Sequence, residues 1–197
     1  AWLKAYTEAK GMKEVNIVDI QGTIGASAQI GRTEALNEAV KANGWNLLAQ
    51  QTGEFTQAKG QEVMQSFLKK YKKDINVVYC ENDNEAFGAI DALKAAGKTY
   101  GKDGDIIIIS FDATNAGLTD VKDGSINADF ECNPLAAPYV EDIIKKLKDG
   151  SQPESKKIYV DESCFACDDT VTTFKTDEDK EITMTVVDDS VLKERAY

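Results

Sequence analysis

Val15-Asn16-Ile17-Val18-Asp19-Ile20-Gln21-Gly22-Thr23-Ile24-Gly25-Ala26-Ser27 is the stretch whose reading decides the fold. The β-branched apolar run Val15 to Ile20 predicts a strand. The glycines at 22 and 25 predict a turn, and Ser27 is placed to cap a helix. That helix extends over Ser27 to Ala42, with Ile30, Leu36, Ala39 and Val40 at helical spacing. The opening is thus a strand, a tight loop and a helix, which is half of a βαβ unit.

The same alternation continues downstream. Strands are expected at Asn46 to Ala49, Asn76 to Cys80, Asp105 to Phe111 and Ile126 to Phe130. Helices are expected at Thr56 to Tyr71, Asn84 to Ala96 (ended by Gly97) and Thr114 to Lys122. The fourth strand is almost continuously apolar, as a strand buried on both faces must be. Alternation of this kind predicts an α/β fold: a doubly wound, Rossmann-like parallel sheet with flanking helices. After Phe130 the character changes. Asn133-Pro134 breaks the strand, and Pro138 to Leu147 reads as a helix before a Ser151-Gln152-Pro153 turn. Lys157 to Val160 and Ile182 to Val187 are expected as strands, Thr170 to Lys180 as an exposed acidic hairpin or loop, and Ser190 to Ala196 as a terminal helix.

Composition excludes several classes of function. The 197 residues are 42% hydrophobic and carry a net charge of −11, from 34 acidic and 23 basic residues. A phosphate backbone is repelled by such a surface, so nucleic acid is not an expected partner. No run of about 18 apolar residues forms a membrane-spanning helix. Histidine is absent, which removes the Ser-His-Asp triad, the Cys-His dyad and all His-ligated metal sites. No cofactor or metal is implied. Cys164 and Cys167 form a lone C-F-A-C with no second pair. A local disulfide, two free thiols, or a metal or redox pair remain open for it, while Cys80 reads as strand packing. Ala1 to Tyr6 reads as the middle of an amphipathic helix, so a targeting segment is expected upstream.

In an open parallel sheet, ligands bind beyond the carboxyl ends of the strands. The residues found there are Gln21 to Ser27 with Arg32, then Gly53-Glu54-Phe55, Glu81-Asn82-Asp83, Ser110-Phe111-Asp112 and Glu131-Cys132-Asn133. A guanidinium, an aromatic ring, an amide and carboxylates suit a neutral sugar. Arg32, Asn82 and Asp112 offer planar hydrogen-bonding groups to vicinal hydroxyls, and Phe55 covers an apolar sugar face. Other readings stand beside this one. Arg32 could pair with Glu34 or Glu38, Phe55 could be loop core, and Asn82 and Asp112 could be helix caps. Gly22 and Gly25 could cradle a phosphate, although G-x-x-G falls short of either phosphate fingerprint.

With those motifs in view, the chain resembles the type 1 periplasmic sugar-binding proteins, the galactofuranose-binding and ribose-binding members most of all. The resemblance rests on Val15 to Ser27, Gly53-Glu54-Phe55-Thr56, Lys59-Gly60, Val63 to Phe67, Glu81-Asn82-Asp83, Ser110-Phe111-Asp112 and Asn133-Pro134. It covers roughly Trp2 to Gly150. It implies two α/β lobes that close on a monosaccharide and present it, outside the cytoplasm, to the permease of an ABC transporter. By position it makes Arg32, Asn82 and Asp112 hydroxyl ligands, gives Phe55 a place in the pocket wall, and sets a hinge ligand near Glu131 and Cys132. Ribose-binding members carry an amide where Cys132 stands, which argues against ribose. It further implies that residues 1–132 form the C-terminal lobe, that 133–155 form a helix of the other lobe, and that 156–197 return to the first with an acidic insert. The other lobe would precede Ala1, so weak affinity is expected of this piece alone. The helix is expected to pack abnormally on this lobe, or against a second copy in a homodimer. The parent would be periplasmic or a lipid-anchored surface protein. An effector domain of a lactose-repressor-type regulator shares the fold and is the alternative. An enzyme using Asp83 and Asp112 as paired acids is a third reading, without a nucleophile–base pair to support it.

Overall fold

The computed structural model describes residues 1–71, 74–153 and 155–197. Residue 154, inside the 133–155 segment, lies outside the described residues. The elements follow in the order α1 (Trp2–Ala9), β1 (Asn16–Gln21), α2 (Ser27–Asn43), β2 (Asn46–Thr52), α3 (Gln57–Tyr71), β3 (Val77–Cys80), α4 (Asp83–Ala95), β4 (Ile107–Asp112), α5 (Asn115–Lys122) and β5 (Ala128–Glu131). They continue with α6 (Ala137–Lys148), β6 (Cys164–Ala166), β7 (Thr173–Lys175), β8 (Glu181–Val186) and α7 (Asp189–Glu194). The first five strands lie side by side in the order β2-β1-β3-β4-β5, all parallel. The expected doubly wound sheet is therefore present. Three short strands extend it: β6 runs antiparallel to β5, β8 parallel to β6, and β7 antiparallel to β8.

Side chains alternate across the central strands and build a core on each face. Ile17, Val77, Ile107 and Ile109 meet Trp2, Leu3 and Tyr6 of α1 and Leu36 of α2. Val18, Ile20, Val78 and Ile108 meet Met64 and Phe67 of α3, Leu93 of α4, and Leu118 and Val121 of α5. Trp2 and Tyr6 stack 4.6 Å apart, which seats α1. The Tyr6 hydroxyl accepts from Asn127 Nδ2 at 3.2 Å and donates to Asp168 at 3.3 Å, joining the first helix to the C-terminal extension.

Several local expectations are corrected. Ser27 is the first helical residue rather than the cap; Ala26 holds the cap position without a side-chain bond. The second strand runs on to Thr52, which brings Gln50 opposite Asp19. Lys157 to Val160 forms no strand, and Tyr159 is 83% exposed. Cys164-Phe165-Ala166 takes the edge beside β5 instead. The acidic segment 170–180 is a hairpin arm through β7, one of the two forms expected for it. Helix α6 forms as expected but buries none of its residues, so it does not pack on this lobe.

Helices α3 and α4 cross where Gly60 and Gly88 let the backbones touch. A Cβ at Gly88 would sit 2.2 Å from Gln57 O and 2.5 Å from Gln61 N. Gly31, exposed on α2, has nothing within 4 Å of its added Cβ. The sign of Gly→Ala therefore differs between the two helices. Gly88→Ala is expected to cost about 3 kcal/mol, because backbone cannot yield, whereas Gly31→Ala should gain roughly 1 kcal/mol of helix propensity. Urea unfolding of the two variants checks both.

Buried acids collect near the carboxyl ends of β1 and β3. Asp19, Glu81 and Glu85 have no exposed surface. Asp19 accepts one bond from Gln50 Nε2 at 2.9 Å, while its Oδ1 and Glu85 Oε2 have no hydrogen-bond partner among the described residues. Burial pushes all three carboxyls up, Glu85 to about 8. The ordinary value for Glu85 is 4.5, so the folded chain holds a proton that the unfolded chain releases. The resulting stability is full below that value and is lost as pH rises through about 8. Glu85→Gln removes this contribution. Between about pH 5 and pH 9 its unfolding free energy should fall by about 4 kcal/mol less than that of the parent chain. Equal slopes in urea titrations across that range would rule out the buried neutral acid.

A candidate ligand-binding edge

Arg32 sits in the second turn of α2, directly over the carboxyl edge. Its NH2 meets Asp112 Oδ1 at 2.8 Å, its NH1 donates to the Glu81 carbonyl, and its guanidinium lies 4.9 Å from the centre of the Phe111 ring. Neither Glu34 nor Glu38 is its partner. The Arg32 side chain is 11% exposed and that of Asp112 is 32% exposed, so the acid is the more open end of the pair. Burial raises the Asp112 carboxyl, and Arg32 opposes that rise. Asp112 is not a cap: Thr114 caps α5, accepting from Gly117 N at 3.1 Å.

Phe55 comes from the loop after β2. Gly22 is required beneath it, since an added Cβ there would lie 2.0 Å from the ring. The Phe55 N–H donates to Glu85 Oε1 at 3.0 Å, and its carbonyl accepts from Asn82 and Asn84 at 3.5 Å each. Asn82 is the N-cap of α4, with Oδ1 accepting from Glu85 N at 2.9 Å. The capping alternative thus holds for Asn82, whose two amide atoms both face protein.

Glu131 is likewise committed inward. Its Oε1 accepts from Arg195 NH1 at 2.7 Å and from the Tyr197 hydroxyl, and its Oε2 accepts from Ser163 N at 2.6 Å. Burial pushes its carboxyl up, but the Tyr197, Ser163 and Arg195 donors outweigh that and leave it below its ordinary value. Cys132 is exposed; burial raises its thiol, with Arg32 and Asp112 nearby acting in opposite senses. The edge therefore gathers Arg32, Phe55, Asp112 and Cys132, while Asn82 and Glu131 serve as its supports.

Sequence reasoning missed the residues that hold these groups in place. Phe111 is the aromatic surface under Arg32. Glu85 carries a signal, the Asn82-x-x-Glu85 capping box, and its carboxyl also takes the Phe55 N–H. Arg195 carries none. Asp83, the other half of the paired-acid reading, is taken up by Ser110 Oγ at 2.6 Å and Thr114 Oγ1 at 2.6 Å and is 2% exposed. Cys164 and Cys167 are free thiols, pushed by burial up to about 11 and about 12.

Four non-glycine residues at this edge lie at positive φ: Glu54 at 57°, Phe55 at 58°, Asp112 at 100° and Ala113 at 52°. Such a backbone costs on the order of 1 kcal/mol or more per residue and persists where the surroundings over-determine it. Strain of this kind concentrates at binding sites.

Residues 1–140 match the model of the periplasmic binding protein domain. The galactofuranose-binding protein YtfQ of Escherichia coli (strain K12) is 41% identical over 146 residues, covering 72% of this chain and 45% of that protein. The ribose import binding protein RbsB of Salmonella typhimurium is 35% identical over 153 residues, covering 77% of this chain and 49% of that one. Among solved structures, the arabinose ABC transporter binding protein of Shewanella sp. ANA-3, bound to α- and β-L-arabinofuranose, superposes with a TM-score of 0.77 at 33% identity, over 86% of this chain and 55% of that one. The chain spans about half the length of the curated relatives it matches. On the match of its first 140 residues, the chain belongs to the periplasmic binding protein domain family.

Proposed function

We propose that this chain is the C-terminal lobe of the solute-binding component of an ABC sugar transporter, and that it contributes half of a cleft for a monosaccharide in furanose form. The observation that carries this reading is the Arg32–Asp112 pair, half-open at the sheet edge with the Phe111 ring against its guanidinium. A guanidinium and a carboxylate side by side present donors and acceptors to adjacent hydroxyls, and an aromatic face covers the apolar side of a sugar ring. Galactofuranose and arabinofuranose in the names of two relatives support the furanose class. The transport names of the relatives also favour this reading over the repressor-type effector domain. Residues 1–132 and 156–197 make up the lobe, and 133–155 cross to the other one. The parent acts outside the cytoplasm, periplasmic or lipid-anchored, and hands its sugar to the permease.

The direct test is an NMR titration of the isotopically labelled chain with pentoses and hexoses, furanose-rich ones included. One sugar should perturb Gly22, Phe55 and Asp112, with weak affinity. Arg32→Ala should weaken that binding about tenfold or more, since a charge-assisted bond is worth about 1.5–3 kcal/mol. No response to any sugar would set this reading aside.

The crossing segment gives a second test. Leu135, just before α6, and Val140, Ile144 and Leu147 along it are each about half exposed. Such a stripe is what the other lobe covers in this reading, and in the isolated chain a second copy takes its place. Sedimentation should show a dimer that Val140→Asp with Ile144→Asp converts to monomer. A monomeric parent chain would remove the homodimer.

A further inference from the structure

We infer that Arg195, in the C-terminal tail, is a positioning residue for the Asp112 carboxylate, and this deepens the sugar-binding reading above. Asp112 and Ala113 sit at φ 100° and 52°, a conformation that neither residue type prefers. Arg195 reaches this pair from 82 residues away in sequence. Its Nε donates to the Ala113 carbonyl at 2.6 Å, and its NH2 lies 3.5 Å from the Asp112 carbonyl. Asp129 Oδ1 accepts the Ala113 N–H at 3.1 Å from the opposite side. The strained peptide is thus gripped at both of its polar ends.

Arg195 is itself fixed in place. It pairs with Glu131 at 2.7 Å, with the two side chains 10% and 6% exposed. The Tyr197 ring centre is 4.1 Å and the Phe165 ring centre 5.3 Å from its guanidinium. The tail is further anchored where Asn115 N donates to Tyr197 O at 2.7 Å. A guanidinium held this way spends its fork on backbone carbonyls and leaves the Asp112 side chain free to face Arg32 and a ligand. Without it, Ala113 is free to return to negative φ, which swings Asp112 away from Arg32.

The test uses the full 197-residue chain. One-bond Cα–Hα couplings, which separate positive from negative φ, are measured at Asp112 and Ala113 without sugar, and the sugar titration is then repeated. In Arg195→Met the two couplings should shift to negative-φ values while those of Glu54 and Phe55 stay. The dissociation constant should rise about tenfold, as for loss of one oriented contact. Adding Ala113→Gly should recover part of the affinity, because glycine takes positive φ freely; a merely structural Arg195 predicts additive losses instead. Arg195→Lys, which keeps a charge for Glu131 but lacks the fork, replaces the Met variant if that does not fold and should show the same shift. Unchanged couplings overturn the inference, as does an unchanged affinity in a chain that binds sugar. Shifted couplings in a chain that binds no sugar support the role of Arg195 and remove only the functional reading.

Discussion

Two loops at one edge of the sheet are held in backbone conformations that their residues do not choose, and buried ionisable side chains do the holding. Glu85 grips the loop that carries Phe55, and Arg195 with Asp129 grips the one that carries Asp112. The rest of the edge follows from these two clamps. Phe55 can lie over Gly22 only in its strained turn, and Asp112 can meet Arg32 only in its own. A loop at negative φ would be cheaper but would aim both side chains elsewhere. The cost falls on the stability of the lobe, and the return is a site arranged before any ligand arrives.

The clamps explain why so much acid is buried here. A carboxyl in an apolar core is costly when charged, and it stays neutral where its donors do not offset its burial. Glu85 and Asp19 are in that condition. Glu131 is the opposite case: three donors surround it, so it stays charged and anchors the cation that does the gripping. Two acids at the same edge thus take opposite protonation states because one is ion-paired with a buried arginine and the other is not.

The parallel half of the sheet was legible because most of its strands are apolar runs followed by a turn and a helix of ordinary length. Legibility failed where the local pattern was short or misleading. Cys164-Phe165-Ala166 is three residues long and looked like a cysteine motif, whereas Lys157 to Val160 alternates like a strand with nothing to pair against. Arg32, Phe55 and Asp112 were legible from their place after strands, since topology alone brings strand ends together. Asn82 and Glu131 stand at equally good places and face inward. Whether a polar group points at solvent or at a neighbouring loop depends on partners far away in sequence, and Arg195 is such a partner. Nothing near Arg195 in the chain marks it.

That asymmetry bears on how the edge came to be built from one chain. The groups that would meet a ligand sit on the repeating βα units, each a few residues past its strand. The groups that brace them come from elsewhere: the first turn of α4, strand β5 and the terminal tail. The tail adds no strand of its own to the parallel sheet, yet its arginine reaches the backbone beside Asp112. The C-terminal extension is therefore part of the site in a physical sense, because it sets the conformation of a loop formed 82 residues earlier. A lobe that ended after β5 would keep its two cores and its Arg32, but the Asp112–Ala113 turn would lose the cation that holds its carbonyls against its own backbone preference.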